Sequence, residues 1–138
     1  MKSRDTGTGA ILEQMILPAL QGGDYAVTRH QLIGRRLGAG KHIVDVIAEK
    51  DGARILVSLK WQQVSGTAEQ KVPFEVICLA EAVAKGGFNR AYLVLGGEGW
   101  TLRDFFTGGG LKEHLRDADS VKIVTLESFI GRANRGEL

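Results

Sequence analysis

Two charged residues interrupt runs of β-forming apolar residues: Asp45 within HIVDVIAE and Lys60 within RILVSLKW. A buried aspartate or lysine is costly unless it is paired or metal-bound, so each needs a chemical reason to be there. A carboxylate can hold Mg²⁺, and a lysine beside it can orient or deprotonate a water and offset charge developing on a phosphate. Such a pair facing across two strands suits hydrolysis of a phosphodiester bond.

The element that must position the pair is a β-hairpin. The two apolar runs are joined by Asp51-Gly52, a dipeptide favoured in two-residue hairpin turns. Strict alternation puts Asp45 on one face with Ile43 and Ile47, and puts Ser58, Lys60 and Gln62 on one face of the second strand.

This hairpin resembles the catalytic core of the PD-(D/E)XK nuclease superfamily, the restriction-endonuclease-like fold. In that superfamily an Asp on one strand and an (Asp/Glu)-X-Lys triplet on the next bind metal and activate water. Asp45 matches the Asp and Ser58-Leu59-Lys60 matches the triplet, with twelve residues between Asp45 and Ser58. Val44 stands at the weakly held proline position, and Ser58 stands where the triplet carries its acid. Serine is a poor Mg²⁺ ligand. The resemblance therefore implies a carboxylate supplied from the helix after the second strand, by Glu69 or Glu75. Glu69 is preferred because it is nearer the strand end and lies in a polar segment. The resemblance further implies that Asp45, Glu69 and the Leu59 carbonyl bind Mg²⁺, with Mn²⁺ able to substitute, and that Lys60 positions water. Glu13 on the first helix is either an assisting acid beside the metal or a solvated helix glutamate.

Length and composition set the bounds. A chain of 138 residues is most simply one domain with a genuine core. With 43% hydrophobic and 25% charged residues it is neither disordered nor membrane-like, and a net charge of +2 is too small to imply nucleic-acid binding by itself. Its distribution says more: from Tyr25 to Val44 the charged residues are Arg29, Arg35, Arg36 and Lys41, joined by His30 and His42, with no acid among them. The single Cys78 excludes an internal disulfide. No membrane span or signal-peptide core is present, and the expected location is the cytoplasm.

In chain order, residues 1–8 are polar and expected to be mobile. A helix is expected from Gly9 to Leu20, carrying Ile11, Leu12, Met15, Ile16 and Ala19 on its apolar face, with Thr8 as N-cap and Pro18 kinking or ending it. A first strand, YAVTRHQLIG, leads to the basic loop Arg35 to Lys41. That loop fails as a phosphate-binding P-loop, because Arg35 stands at the first required glycine and His42 follows Lys41. It reads as a loop over a DNA backbone or as a solvated connection. After the hairpin, Gln62, Gln63 and Lys71 belong to a polar connection suited to phosphates and base edges, or to an ordinary loop. A helix spans Thr67 to Lys85, its regular part starting near Pro73. RAYLVLGG is a buried strand; a helix from Trp100, a second helical piece LKEHLRDA, a strand from Val121 to Leu126 and a closing helix LESFIGRAN complete the chain. A Ser58/Lys60 nucleophilic pair is disfavoured, because a mid-strand serine has neither an exposed turn nor an oxyanion hole.

The expected architecture is α/β, a central mixed sheet of about five strands flanked by helices around an αβββαβ core. The expected function is a Mg²⁺-dependent DNA endonuclease of restriction, homing, Holliday-junction or repair-nicking type. Arg29, Arg35, Arg36, Lys41, Gln62, Gln63 and Lys71 would contact nucleic acid. A homodimer or higher homo-oligomer would place two sites on two strands, although a nicking monomer also fits. The alternative is a nuclease-fold module without a working metal site, which binds nucleic acid or a partner protein.

Overall fold

The computed structural model describes residues 3–38 and 40–138, with side chains from residue 10 onward. Its elements run α1 (Ser3–Gly22), β1 (Ala26–Arg35), β2 (Lys41–Lys50), β3 (Ala53–Trp61), α2 (Ala68–Gly86), β4 (Arg90–Gly96), α3 (Arg103–Thr107), a 3₁₀ turn (Gly110–Glu113), β5 (Val121–Thr125) and α4 (Leu126–Asn134). One mixed sheet contains all five strands in the order β1-β2-β3-β4-β5. The first three are antiparallel, and β3, β4 and β5 are parallel. This is the expected mixed sheet flanked by helices.

The hairpin turn follows from its residues. Asp51 and Gly52 have φ of 52° and 84°, and a two-residue turn with both central residues at positive φ matches the twist of the strands it joins. The central parallel strand β4 is a near-continuous buried apolar run because both faces of the sheet are covered there. On one side, Leu12, Ile16 and Leu20 of α1 and Phe129 and Ala133 of α4 pack on Val57, Tyr92 and Val94. On the other, Val72, Val76 and Leu79 of α2 pack on Leu56, Leu93 and Leu95. Each large aliphatic side chain so buried contributes about 1.5–3 kcal/mol. Tyr92 and Phe129 meet edge to face with centroids 5.7 Å apart, the geometry that aromatic quadrupoles prefer.

Several local expectations are corrected. Residues 1 and 2 lie outside the described residues, as do the side chains of residues 3–9, while the backbone is helical from Ser3. Thr8 therefore lies within α1 and is not its cap. Pro18 does not end α1, which continues to Gly22; burial of Ala19 and Leu20 outweighs the lost backbone bond, worth about 3 kcal/mol. Likewise α2 starts at Ala68, ahead of Pro73. The expected helix LKEHLRDA is reduced to the 3₁₀ turn Gly110–Glu113. Three preceding glycines oppose helix formation, and Asp117 takes a positive φ of 58° that breaks it.

Candidate active site

The site forms where the central hairpin comes apart. The β2–β3 ladder runs from Lys50↔Ala53 to Val46↔Val57. Beyond it, the Asp45 Oδ2 atom accepts a 2.7 Å hydrogen bond from the Leu59 backbone N–H. A side-chain oxygen thus takes the place of a ladder acceptor and fixes the carboxylate between the strands. Alternation also slips here: Val46 belongs to the core under α1, and Val44 to the core under α2. In a regular strand residues two apart share a face. The expected grouping of Asp45 with Ile43 and Ile47 is therefore corrected. Ile47 packs on the α2 side, whereas Asp45 meets residues from α1 and β1.

The neighbouring strand shows a matching irregularity. Arg29 pairs with Val46 and Gln31 with Val44, which leaves His30 opposite Asp45 with φ at 56°. Successive residues of a regular strand point to opposite faces, yet Arg29 and His30 reach the same carboxylate. Arg29 Nη1 lies 3.3 Å from Glu13 Oε1, and His30 Nε2 lies 3.1 Å from Glu13 Oε2. The left-handed residue makes this convergence possible. Glu13 itself is 4% exposed, so it is not a solvated helix glutamate.

One ligand atom from each of Glu13, His30 and Asp45 lies within 4.8 Å of the others. A divalent cation about 2.0–2.6 Å from each atom would span that spacing. Glu13 and Asp45 supply hard oxygens and His30 an imidazole nitrogen, so the donor set fits a divalent ion.

A second carboxylate, Glu75 of α2, stands against the triplet. Ser58 Oγ donates to Glu75 Oε2 at 2.8 Å, and Arg36 Nη1 donates to Oε1 at 2.6 Å. His42 Nε2 approaches Oε2 at 3.8 Å, too far for a hydrogen bond, and this buried nitrogen has no hydrogen-bond partner among the described residues. Lys60 acts electrostatically on both Asp45 and Glu75. The two acids are tuned in opposite directions. Burial pushes the Asp45 carboxyl up, reinforced by Glu13 and Glu75 and opposed by the Leu59 N–H and Lys60. Burial also favours the neutral form of Glu75, but His42, Lys60 and Arg36 outweigh it and hold that carboxyl well below the usual carboxylate range. Carboxylates driven apart in this way are characteristic of functional sites and of buried ion-pair networks alike.

The residues expected from sequence divide accordingly. Asp45, Lys60 and Glu13 come together with the Leu59 peptide, which Asp45 holds. Glu69, the preferred carboxylate, is corrected: it accepts from the backbone N–H of Thr101, from that of Leu102 at 3.1 Å, and from Gln62 Nε2 at 3.0 Å. It braces the segment before α3, and Glu75, the other candidate, is the acid beside Ser58. Gln62 is corrected as a nucleic-acid contact, being 6% exposed and bonded to Glu69, the Gly99 carbonyl and the Ala68 N–H. Gly97 (φ 91°) lets this bracket close, because a Cβ there would collide with the Gln62 backbone. Arg29 and Arg36 are engaged by Glu13 and Glu75, not held out as free cations. Arg35, Lys41, Gln63 and Lys71 are exposed. His30 was not a candidate ligand on sequence; the only signal was its place in the basic stretch, since nothing in the letters announces a left-handed residue inside a strand.

A five-stranded mixed sheet whose central hairpin opens around Asp45, with Lys60 on the next strand, is consistent with a nuclease-type fold. The family profile of the PD-(D/E)XK nuclease superfamily domain matches residues 4–137, and the chain belongs to that superfamily. Among solved structures it is similar to a crystal structure described as the protein of unknown function AF1548. The TM-score is 0.52 at 13% identity, and the match covers 86% of this chain and 56% of that one. No curated protein sequence matches the chain significantly.

Proposed function

We propose that this chain is a divalent-metal-dependent DNA endonuclease acting in the cytoplasm. The observation that carries the reading is the meeting of Glu13, His30 and Asp45 ligand atoms within 4.8 Å, in a site where Lys60 acts on Asp45. When bound there, Mg²⁺ or Mn²⁺ would polarise the scissile phosphate and acidify a coordinated water. Glu13 and Asp45 would hold the ion, and the Leu59 carbonyl would be a further backbone donor. Lys60 orients the attacking water and offsets charge on the phosphorane-like transition state. Glu75, kept anionic by His42, Lys60 and Arg36, attracts the Lys60 ammonium. Arg35, Lys41, Gln63 and Lys71 bind the DNA backbone. A homodimer would present two such sites to the two strands of a duplex, as restriction, homing or junction-resolving cleavage requires.

The test is incubation of supercoiled plasmid and of a synthetic four-way junction with the protein and Mg²⁺ or Mn²⁺, beside EDTA and Asp45→Ala controls. Discrete plasmid fragments lost in both controls indicate sequence-specific cleavage, and selective junction cutting indicates a resolvase. Cutting that persists in Asp45→Ala refutes the assigned site. A second reading, a metal-free binding module, is favoured by the engagement of Glu75 with Ser58 and Arg36, which neutralises the acid beside the triplet. It predicts no Mg²⁺ or Mn²⁺ effect on thermal stability.

A further inference from the structure

We infer that His30 is a direct metal ligand and makes the site prefer first-row transition ions, such as Mn²⁺ or Co²⁺, over Mg²⁺. This rests on the reading of Glu13 and Asp45 as metal ligands. Three elements contribute one donor each: Glu13 from α1, His30 from β1 and Asp45 from β2. The imidazole is not a chance neighbour of the acids. A regular β1 would point either Arg29 or His30 away from Glu13, and the positive φ of 56° at His30 directs both inward.

The alternative role for His30 is to orient Glu13 by the contact seen at 3.1 Å. That contact uses Nε2, and one ring nitrogen of His30 lies within 4.8 Å of Asp45 and Glu13 ligand atoms. On Nε2 the two roles exclude each other: an ion bound there takes the lone pair, and that nitrogen no longer bonds Glu13. Arg29 remains as a second group on Glu13, so the carboxylate keeps an orienting partner when the histidine turns to the ion. Carboxylate, carbonyl and water suit Mg²⁺, whereas an imidazole nitrogen is a poor ligand for it and a good one for transition ions. One nitrogen in the set thus changes which ion binds best.

The test reads binding without DNA. Pulsed electron paramagnetic resonance of the full-length protein with one equivalent of Mn²⁺ should show coupling to a ligating ¹⁴N, and ¹⁵N-histidine labelling of the unsubstituted protein should convert it. His30→Asn, chosen because Asn tolerates a left-handed backbone, should abolish the coupling. In calorimetric titrations it should weaken Mn²⁺ binding by roughly tenfold or more while changing Mg²⁺ binding less than about twofold. Absence of nitrogen coupling in the unsubstituted protein, or its persistence in His30→Asn, overturns the inference. An unchanged ratio of Mn²⁺ to Mg²⁺ affinity in the variant also overturns it. Nitrogen coupling in a protein that cuts no DNA would retain His30 as ligand and sink the nuclease reading. Cleavage without nitrogen coupling would do the reverse.

Discussion

Replacing Asp45 by Asn should make the metal-free protein more stable. The aspartate is a mostly buried anion whose charged form is disfavoured by burial and by the nearby carboxylates Glu13 and Glu75. Asn is nearly isosteric, and its Oδ1 atom can still accept the 2.7 Å bond from Leu59. What is lost is the attraction of Lys60, which keeps Glu75 as a partner. Removal of an unfavourable charge at a functional site commonly stabilises by about 0.5–2 kcal/mol, and about 1 kcal/mol is expected here. The sign with pH follows from the raised carboxyl. Its cost is present at neutral pH and is relieved as pH falls through the folded-state value toward the ordinary 3.8. The advantage of Asp45→Asn should therefore be largest near pH 7 and vanish in acid. With saturating Mn²⁺ the order should reverse, because a ligand at a hundred times its Kd stabilises the native state by about 2.7 kcal/mol. Urea unfolding in EDTA and in Mn²⁺, at pH 7 and pH 4, measures all four cases. A variant less stable than the parent in EDTA at pH 7 would refute this reasoning.

Other perturbations separate structural from functional acids and bases. Glu69→Ala should cost about 1–2 kcal/mol, because it strips acceptors from the Thr101 and Leu102 N–H groups; metal affinity, read by calorimetry, should not change. Arg36→Met should destabilise by about 2 kcal/mol at pH 7, below the range for fully buried pairs because Arg36 is 28% exposed. Glu75, held low in the fold, contributes stability that is full above its ordinary 4.5 and is lost as pH falls below that value. The difference between Arg36→Met and the parent should accordingly shrink in acid, as thermal melts from pH 7 down to pH 3 would show.

The sequence made the hairpin legible because its two signals are local: β-forming runs and an Asp-Gly turn that demands positive φ. Asp45 and Lys60 were legible for the same reason, as charges within those runs. The partners that complete the site come from distant segments and could not be read this way. Glu69 and Glu75 are equivalent as letters on one helix, and only the packing of α2 on the sheet turns Glu75 toward Ser58 and leaves Glu69 to the Thr101 segment. Arg29 and Arg36 read as solvent-facing cations because the buried acids they neutralise lie 16 and 39 residues away. His30 was hidden by a break in strand alternation, which no periodicity argument can foresee.

The central claim is that Lys60 acts on water and phosphate at a metal held by Glu13 and Asp45. Its most direct test is the single-turnover rate of DNA cleavage by Lys60→Ala against the parent at saturating Mn²⁺, with metal binding of both followed by calorimetry. A rate loss of about 10²–10³-fold or more at unchanged metal affinity is predicted, the scale of losing one preorganised charge-stabilising group. Cleavage by Lys60→Ala at the parental rate would contradict it.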